Sequence, residues 1–391
     1  MILILLLVSL CAIAIYSSKL RHSLATAPRL TITNERKSEY PKISVVIPAY
    51  NEADNILHCV TAVLQSTQLP PEKLEVWVVD DQSTDNTLTI VKSFQEQLKD
   101  PRLKILSGKS RPTDKNWVGK NWACSQAATK VTGDFLLFID ADVKLKPSAI
   151  ETAVNHAQTE HIDLLSLAPA IVCGCLAEWV VQPLMVNNLA VGFDFGAVND
   201  PNTEIAFAAG PFMLFRRSAY GKLGGHAAFA EEVVEDVEMA RAIKKAGMKL
   251  QLLLGSDLMS VRMYRSWGAL WEGWTKNIYQ GAQRNLGSTL YFALSMAIIY
   301  PLPWLCLLGL GYKHLLGIWG IWDYISLGLV GVAIASHYYL RIMGGKDSDT
   351  PPDFWWLSGV GGTVIVAAVI TSIIKTETGW GWTWRGRSLT P

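Results

Sequence analysis

Acidic residues gather at three places in this 391-residue chain where apolar runs stop. "DFLLFIDADVKL" closes its apolar stretch on Asp140 and Asp142, "LEVWVVDDQSTDNT" closes on Asp80 and Asp81, and "EDVEMARAIKKAG" begins at Glu235 and Asp236. Residues i and i+2 of an extended segment point the same way, so Asp140 and Asp142 can present oxygens to one ligand. Two carboxylates that close do not both ionise in a site of low dielectric without compensation. A hard divalent cation, Mg²⁺ or Mn²⁺, which favours carboxylate and phosphate oxygens, supplies it. The plainer alternative is a strand end that caps a turn, and the Asp-x-Asp spacing is common by chance.

The elements that must position these residues follow from the pattern around them. "ISVVIPAYNE" begins as a buried apolar run that breaks at Pro48, and a helix is predicted from Glu52 to about Leu64. "LEVWVVDDQSTDNT" repeats the theme, with Ser83, Thr84 and Asp85 supplying helix-cap chemistry. "LKILSG" is a third short strand, helical sequence runs from Trp117 to Lys130, and a strand spans Phe135 to Asp140. Strand and helix alternate, which predicts a parallel α/β sheet. Ligands of such sheets bind beyond the carboxyl ends of the strands. The unexpected polar residues fall there: Tyr50, Asn51 and Glu52; Asp80 and Asp81; Asp140 and Asp142.

The bulk numbers set the remaining bounds. A net charge of +1 leaves no basic imprint for a nucleic-acid partner. The mean hydropathy of +0.22 is too high for a simple soluble enzyme and too low for a polytopic transporter, so the apolar residues must be concentrated in segments. Met1 to Tyr16 is continuously apolar, and its charges, Lys19 and Arg21, come after it. That order favours a signal anchor over residues 1–18, with the N-terminus outside, rather than a cleaved signal peptide. Three further segments, 289–311, 315–336 and 354–374, are each long enough to cross a bilayer of roughly 30 Å. Pro301 and Pro303 are expected to kink the first. Before them, in a segment bounded at 262–286, Trp267, Trp271 and Trp274 share one helical face and suit an interfacial amphipathic helix, with core packing as the alternative. The tail 375–391 carries Arg385 and Arg387, which prefer the inside; with four spans and a cytoplasmic catalytic domain this conflicts, so one segment is re-entrant or interfacial. The six cysteines form no CxxC pair, and free thiols are expected.

"VVIPAYNE", "VVDDQSTDNT", "FIDAD" and "EDVEMARAIKKAG" occur in that order. The ordered set resembles the family 2 glycosyltransferases over roughly residues 42 to 255. The resemblance implies an α/β fold of the GT-A, Rossmann-like type that handles nucleotide-diphospho-sugars, bounded at 40–258 and followed by C-terminal transmembrane helices. It implies that Asp81, with Pro48, Tyr50 and Glu52, holds the base and ribose of a UDP- or GDP-sugar. It further implies that Asp140 and Asp142 hold the diphosphate through Mg²⁺ or Mn²⁺, and that Asp236 is the general base of an inverting hexosyltransferase. An acidic first-turn residue favoured by the helix dipole is the alternative for Glu235 and Asp236. Lys120 in "WVGKNWA" would add a second positive contact near the phosphates; a solvated surface lysine is its alternative. "FAAGPFMLFRRSAYGKLGG" (207–225) corresponds to the acceptor-side segment, with His226 next to it either touching a sugar or sitting in a turn.

Processive relatives carry a QxxRW motif, whereas "QGAQRN" (280–285) has neither the spacing nor the Trp, which favours a single transfer. "DKNWVGKNWACSQAA" (114–128) and "WTWRGRSL" resemble the membrane-bound branch of the family acting on isoprenoid lipids, carotenoids and hopanoids among them. The implied acceptor is the hydroxyl of a carotenoid such as myxol, and the chain is expected to be a multi-pass membrane protein. "LAEWVVQPLMVNNLAVGFDFG" (176–196) would be either an acceptor wall or core. A polyprenyl-phosphate sugar transferase and a non-catalytic scaffold are the alternatives; the latter should have lost Asp140, Asp142 or Asp236.

Overall fold

The computed structural model describes residues 1–32, 40–113 and 115–389. Asp114, which opens the stretch 114–128, and the last two residues of the tail lie outside the described residues. The chain forms two compact units. An α/β unit comprises Ala27–Ala170 and Phe195–Met263, and a helical unit comprises Met1–Thr26, Ile171–Asp194 and the chain from Tyr264 onward.

In the α/β unit, β-branched and large apolar residues build strands buried on both faces, β1 (Ile43–Ala49) and β2 (Leu74–Asp80). The others are β3 (Leu103–Ser107), β4 (Phe135–Ile139), β5 (Val143–Leu145), β6 (Leu164–Ala168), β7 (Ala170–Ile171), β8 (Phe212–Arg216), β9 (Leu250–Leu254) and β10 (Met259–Val261). Seven of them form one sheet in the order β3-β2-β1-β4-β8-β6-β9. β1 runs parallel to β2 with Ala49 opposite Asp80, and parallel to β4 with Val46 opposite Phe138. Residues 50–52, Asp81 and Asp140 therefore emerge along one edge.

The sheet is mixed, not parallel throughout. β8 runs antiparallel to both β4 and β6, with Phe212 opposite Ile139. An apolar run such as "FMLFR" carries no sign of its direction, so periodicity does not reveal the reversal. Its consequence is local: the start of β8, preceded by Gly210, lands beside the end of β4, followed by Asp140.

The helices of this unit are α2 (Ile56–Gln65), α3 (Thr87–Leu98), α4 (Gly119–Ala128), α5 (Ala149–Thr159), α7 (Phe195–Val198), α8 (Arg217–Lys222), α9 (Gly225–Ala228) and α10 (Glu235–Lys245). α2 begins four residues later than predicted because Glu52 opens a turn, accepting at its carbonyl from Asn55 N (2.9 Å). α10 suits its own dipole, with Glu235, Asp236 and Glu238 in the first turn and Lys244 and Lys245 in the last.

The helical unit contains α1 (Ile2–Thr26), α6 (Leu176–Phe193), α11 (Trp267–Gly281), α12 (Leu286–Ile299), α13 (Pro301–Leu315), α14 (Ile321–Ser348) and α15 (Ser358–Thr378), and ends in a hairpin of β11 (Thr383–Trp384) and β12 (Arg387–Ser388). Three helices are long and apolar enough to cross a membrane, 2–26, 321–348 and 355–378; a fourth span arises if the pair α12 and α13 is one bent span. α1 runs past Lys19 and Arg21 to 25 residues, longer than the anchor expected from the apolar run alone.

The kink expected at Pro301 and Pro303 is a break of 41°. Pro303 has no N–H to offer the Ile299 carbonyl. His337 Nε2 hydrogen-bonds that carbonyl instead (2.9 Å), and Ser9 Oγ donates to the Ile298 carbonyl (2.8 Å). α6 packs against α15, α1 and α14, so residues 176–193 are part of this bundle's core. The tryptophan face of α11 is divided: Trp267 is exposed, whereas Trp274 is buried and donates from Nε1 to Gln182 Oε1 (2.7 Å).

Candidate functional site

The tips of β1 and β2 are zipped together by side chains. Asn51 adopts a left-handed backbone (φ 53°), a conformation that asparagine tolerates better than most residues. Its Oδ1 accepts from Thr84 N (2.8 Å), its Nδ2 donates to Thr84 Oγ1 (3.2 Å), and its own N donates to Ser83 Oγ (3.0 Å). Glu52 N donates to Thr87 Oγ1 (2.8 Å) and Ala53 N to Asp85 Oδ2 (3.2 Å). "YNE" and "STDNT" thus satisfy each other's backbone, and Tyr50 sits half-buried on this frame. Pro48 lies within β1 opposite Val79, beyond the last β1–β4 pair at Val46, where a missing N–H breaks no ladder bond.

Asp81 is buried at the tip of β2, its N donating to the Ala49 carbonyl (2.8 Å). Its Oδ2 faces Arg111 Nη2 at 3.6 Å, and Arg111 Nη1 donates to the Trp117 carbonyl (3.3 Å). Gly119 starts α4 here because a Cβ would stand 2.7 Å from Asp81 Oδ2 and 2.8 Å from Arg111 Nη2. α4 is also tied to the loop ahead of α10: Val118 N donates to the Ala230 carbonyl (2.8 Å), and Asn121 Nδ2 to the carbonyls of Phe229 (2.7 Å) and Glu232 (2.8 Å).

The acidic residues meet around Lys120, in the first turn of α4. Its Nζ lies 2.7 Å from Asp140 Oδ1 and 2.8 Å from Glu235 Oε1. Burial opposes its charge, but Asp140 and Glu235 outweigh burial and hold the ammonium well above its ordinary value. Asp236 accepts from Gly210 N (2.9 Å, Oδ2) and Val237 N (2.9 Å, Oδ1). Burial, then the charge of Glu235, push the Asp236 carboxyl up to about 7, against the pull of Lys120. Gly210 is needed for this approach, since a Cβ would meet Asp236 Oδ2 at 2.7 Å and Lys120 Nζ at 3.3 Å.

Asp140 and Asp142 differ from the extended pair expected. They occupy a turn in which Val143 N donates to the Asp140 carbonyl (3.2 Å), with Ala141 buried between two half-buried carboxylates. Cys59, buried beneath, donates from Sγ to the Asp140 carbonyl (3.5 Å). Burial and then Asp142, Glu52 and Asp140 raise its thiol well above the usual range, which places all three acids around it. Among the described residues no group of three or more His, Cys, Asp and Glu gathers as a metal centre. The donor set still fits a hard divalent cation, which commonly takes one or two carboxylates and completes its shell with phosphate and water.

His226 is buried, takes a hydrogen bond between Nδ1 and Tyr220 OH (2.8 Å), and packs its ring 4.5 Å from that of Phe138. Burial, then Lys120, push its imidazole down to about 3, so it is a neutral core side chain. Sequence reasoning missed Arg111, the second partnership of Lys120 with Glu235, and the amide of Gly210. The basic residues of "KSRPTDKNW" were the available sign of the first; a backbone amide leaves none.

Residues 44–224 match the family described as Glycosyl transferase family 2. The chain is 29% identical over 245 residues to a 4,4'-diaponeurosporenoate glycosyltransferase of Staphylococcus aureus (strain USA300), covering 61% of this chain and 61% of the relative. The protein of the same name from strain MRSA252 is 28% identical over 245 residues. The chain therefore spans about three fifths of the length of the curated relatives it matches. A solved mannosyltransferase from Pyrobaculum calidifontis, in complex with GDP-Man and Mn²⁺, is similar with a TM-score of 0.58 at 18% identity, covering 96% of this chain and 99% of that one. That likeness shows the GT-A fold. The family match is confined to residues 44–224, less than half of the chain.

Proposed function

We propose that this chain moves a single sugar, with inversion, from a nucleotide-diphospho-sugar to the hydroxyl of a membrane isoprenoid lipid, a carotenoid such as myxol. The observation that carries the reaction type is the setting of Asp236: a carboxylate held by two backbone amides, raised to about 7 by burial and Glu235, beside Lys120 and Asp140. A base is most effective when its pKa lies near the working pH. The carotenoid-type relative supports the acceptor class, and the candidate spans support an acceptor that lives in a bilayer.

In this reading the β1 and β2 tips, with Tyr50, Glu52 and Asp81, take the base and ribose. Asp140 and Asp142 would hold Mg²⁺ or Mn²⁺, whose charge neutralises the diphosphate when bound. Asp236 accepts the proton of the acceptor hydroxyl as its oxygen bonds to the anomeric carbon. The bond from that carbon to the phosphate oxygen breaks, and the nucleoside diphosphate leaves. Lys120 gives a fixed positive charge at the same edge. The α/β unit would face the cytoplasm, where nucleotide-sugars are available, on a multi-pass chain.

The test offers purified full-length protein, with Mn²⁺ or Mg²⁺, a panel of UDP- and GDP-sugars and a pigment and lipid extract, and reads products by mass. A hexose or deoxyhexose on a hydroxylated carotenoid is expected. Sugar on a polyprenyl phosphate or a hopanoid replaces the acceptor, and no transfer to any lipid overturns the reading.

A further inference from the structure

Lys244 lies in the last turn of α10, and the transfer reaction does not use it. Its ammonium reaches five oxygens of α7 and the loop that follows it: the carbonyls of Ala197 (3.3 Å), Asp200 (2.9 Å), Thr203 (3.2 Å) and Ile205 (2.6 Å), and the Thr203 hydroxyl (3.1 Å). A lysine has three protons to donate, so five oxygens cannot each hold one. The arrangement is a cage of dipoles around a point charge, as when backbone carbonyls replace the hydration shell of a monovalent ion. No carboxylate oxygen belongs to the cage: Asp200 joins through its carbonyl, while its Oδ1 accepts from Asn202 N (2.8 Å) and Asn202 Nδ2 (3.0 Å). Burial lowers the lysine from its ordinary value, partly offset by the more distant charge of Asp200.

This loop leads directly into the Asp236 cluster. Residues 206–208 are buried, and Gly210 then gives its amide to Asp236. Asn199 fastens the first half of the loop to β9, accepting from Leu252 N (2.8 Å) and donating to the Leu252 carbonyl (2.9 Å). Lys244 fastens the second half to α10, the helix that carries Asp236 in its first turn.

We propose that Lys244 is a tethered monovalent cation, a positioning residue that binds loop 197–205 to α10 and so sets Gly210 against Asp236. The cage itself stands independently of the proposed reaction; only its catalytic consequence rests on that reading. Removing the side chain leaves a ring of carbonyls suited to K⁺ or NH₄⁺ and unsuited to a bulky organic cation.

The experiment compares amide hydrogen exchange over residues 197–210 in full-length wild type and Lys244→Ala, without substrate, in choline chloride, KCl and NH₄Cl. In choline, exchange in the variant is expected to rise about tenfold across the segment, and K⁺ or NH₄⁺ should return it to the wild-type pattern, to which the wild type is indifferent. Unchanged exchange overturns the proposal, and so does a rise that neither ion reverses. Should Lys244→Ala not fold, Lys244→Gln carries the test: it removes the ammonium and leaves in place the cage oxygens, including the Thr203 hydroxyl with its own bond to the Ala197 carbonyl (2.6 Å). Raised exchange in that variant supports the cage, and an unchanged pattern overturns it. In transfer assays, Lys244→Ala should lose kcat in choline and regain it in KCl while nucleotide-sugar affinity holds. A loss that is the same in all three salts contradicts the positioning role.

Discussion

Two carboxylates in the same α/β unit have been driven in opposite directions. Glu75, in β2, is buried and accepts from Ser44 Oγ (2.6 Å), Thr132 N (2.6 Å) and Lys104 Nζ (2.8 Å). Burial alone would raise it, yet Lys104, Ser44 and Thr132 outweigh burial and hold it at about 2. Asp236 also receives two amides, but burial and Glu235 prevail and raise it to about 7. The difference lies in the company. Glu75 has an ammonium of its own, whereas Lys120 is shared among Asp140, Glu235 and Asp236. Three acids drawing on one lysine leave one carboxyl raised to near neutrality; one acid with its own lysine makes a structural anchor.

The comparison breaks most visibly at Asp236. Asp236→Asn keeps the shape and removes the proposed proton acceptor, so kcat should fall by about 10²- to 10⁴-fold while donor affinity, read by titration with nucleotide-sugar, holds. Retained turnover would remove Asp236 from the role. Glu75→Gln should do the reverse, lowering stability by on the order of 3 kcal/mol without moving the pH dependence of transfer. The sign follows from a depressed folded value: the stabilisation is complete above about 4.5 and is lost as pH falls towards about 2, which acid unfolding of wild type and variant would show. Gly210→Ala brings a methyl against Asp236 and Lys120, and kcat/KM should drop about tenfold, about 1.4 kcal/mol, with melting temperature little changed. Asn51→Ala is the mildest. It removes the side-chain bonds between the β1 and β2 tips, with about 1 kcal/mol of lost stability and a raised donor KM expected from thermal melts and kinetics.

Much of this was legible in the sequence, and the reason is chemical. Apolar runs ending in "YNE", "DD" and "DAD" leave few readings once they share a sheet edge, and the structure brings residues 50–52, Asp81 and Asp140 to that edge. Direction was not legible: "FMLFR" reads alike both ways, yet its antiparallel course brings Gly210 to Asp236. Nor was the membership of residues 176–193 in the helical unit, because an apolar stretch fits a core and a wall equally. The extent of α1 was hidden by Ser17, Ser18, Lys19 and Arg21, which end the apolar run but not the helix. The Lys244 cage is made of backbone oxygens, which every sequence has and no sequence displays.

The most direct test of the account is the pH dependence of kcat/KM for lipid glycosylation, with wild type and Glu235→Gln measured side by side. In the proposed reaction Asp236 acts as the ionised carboxylate, so wild-type rates should climb about tenfold per pH unit to a bend near 7 and then level. Losing the Glu235 charge removes a repulsion and leaves Lys120 less divided, so the bend should move to lower pH in the variant. A profile without a bend near neutrality, or one that Glu235→Gln leaves in place, would contradict the claim that this cluster sets the base.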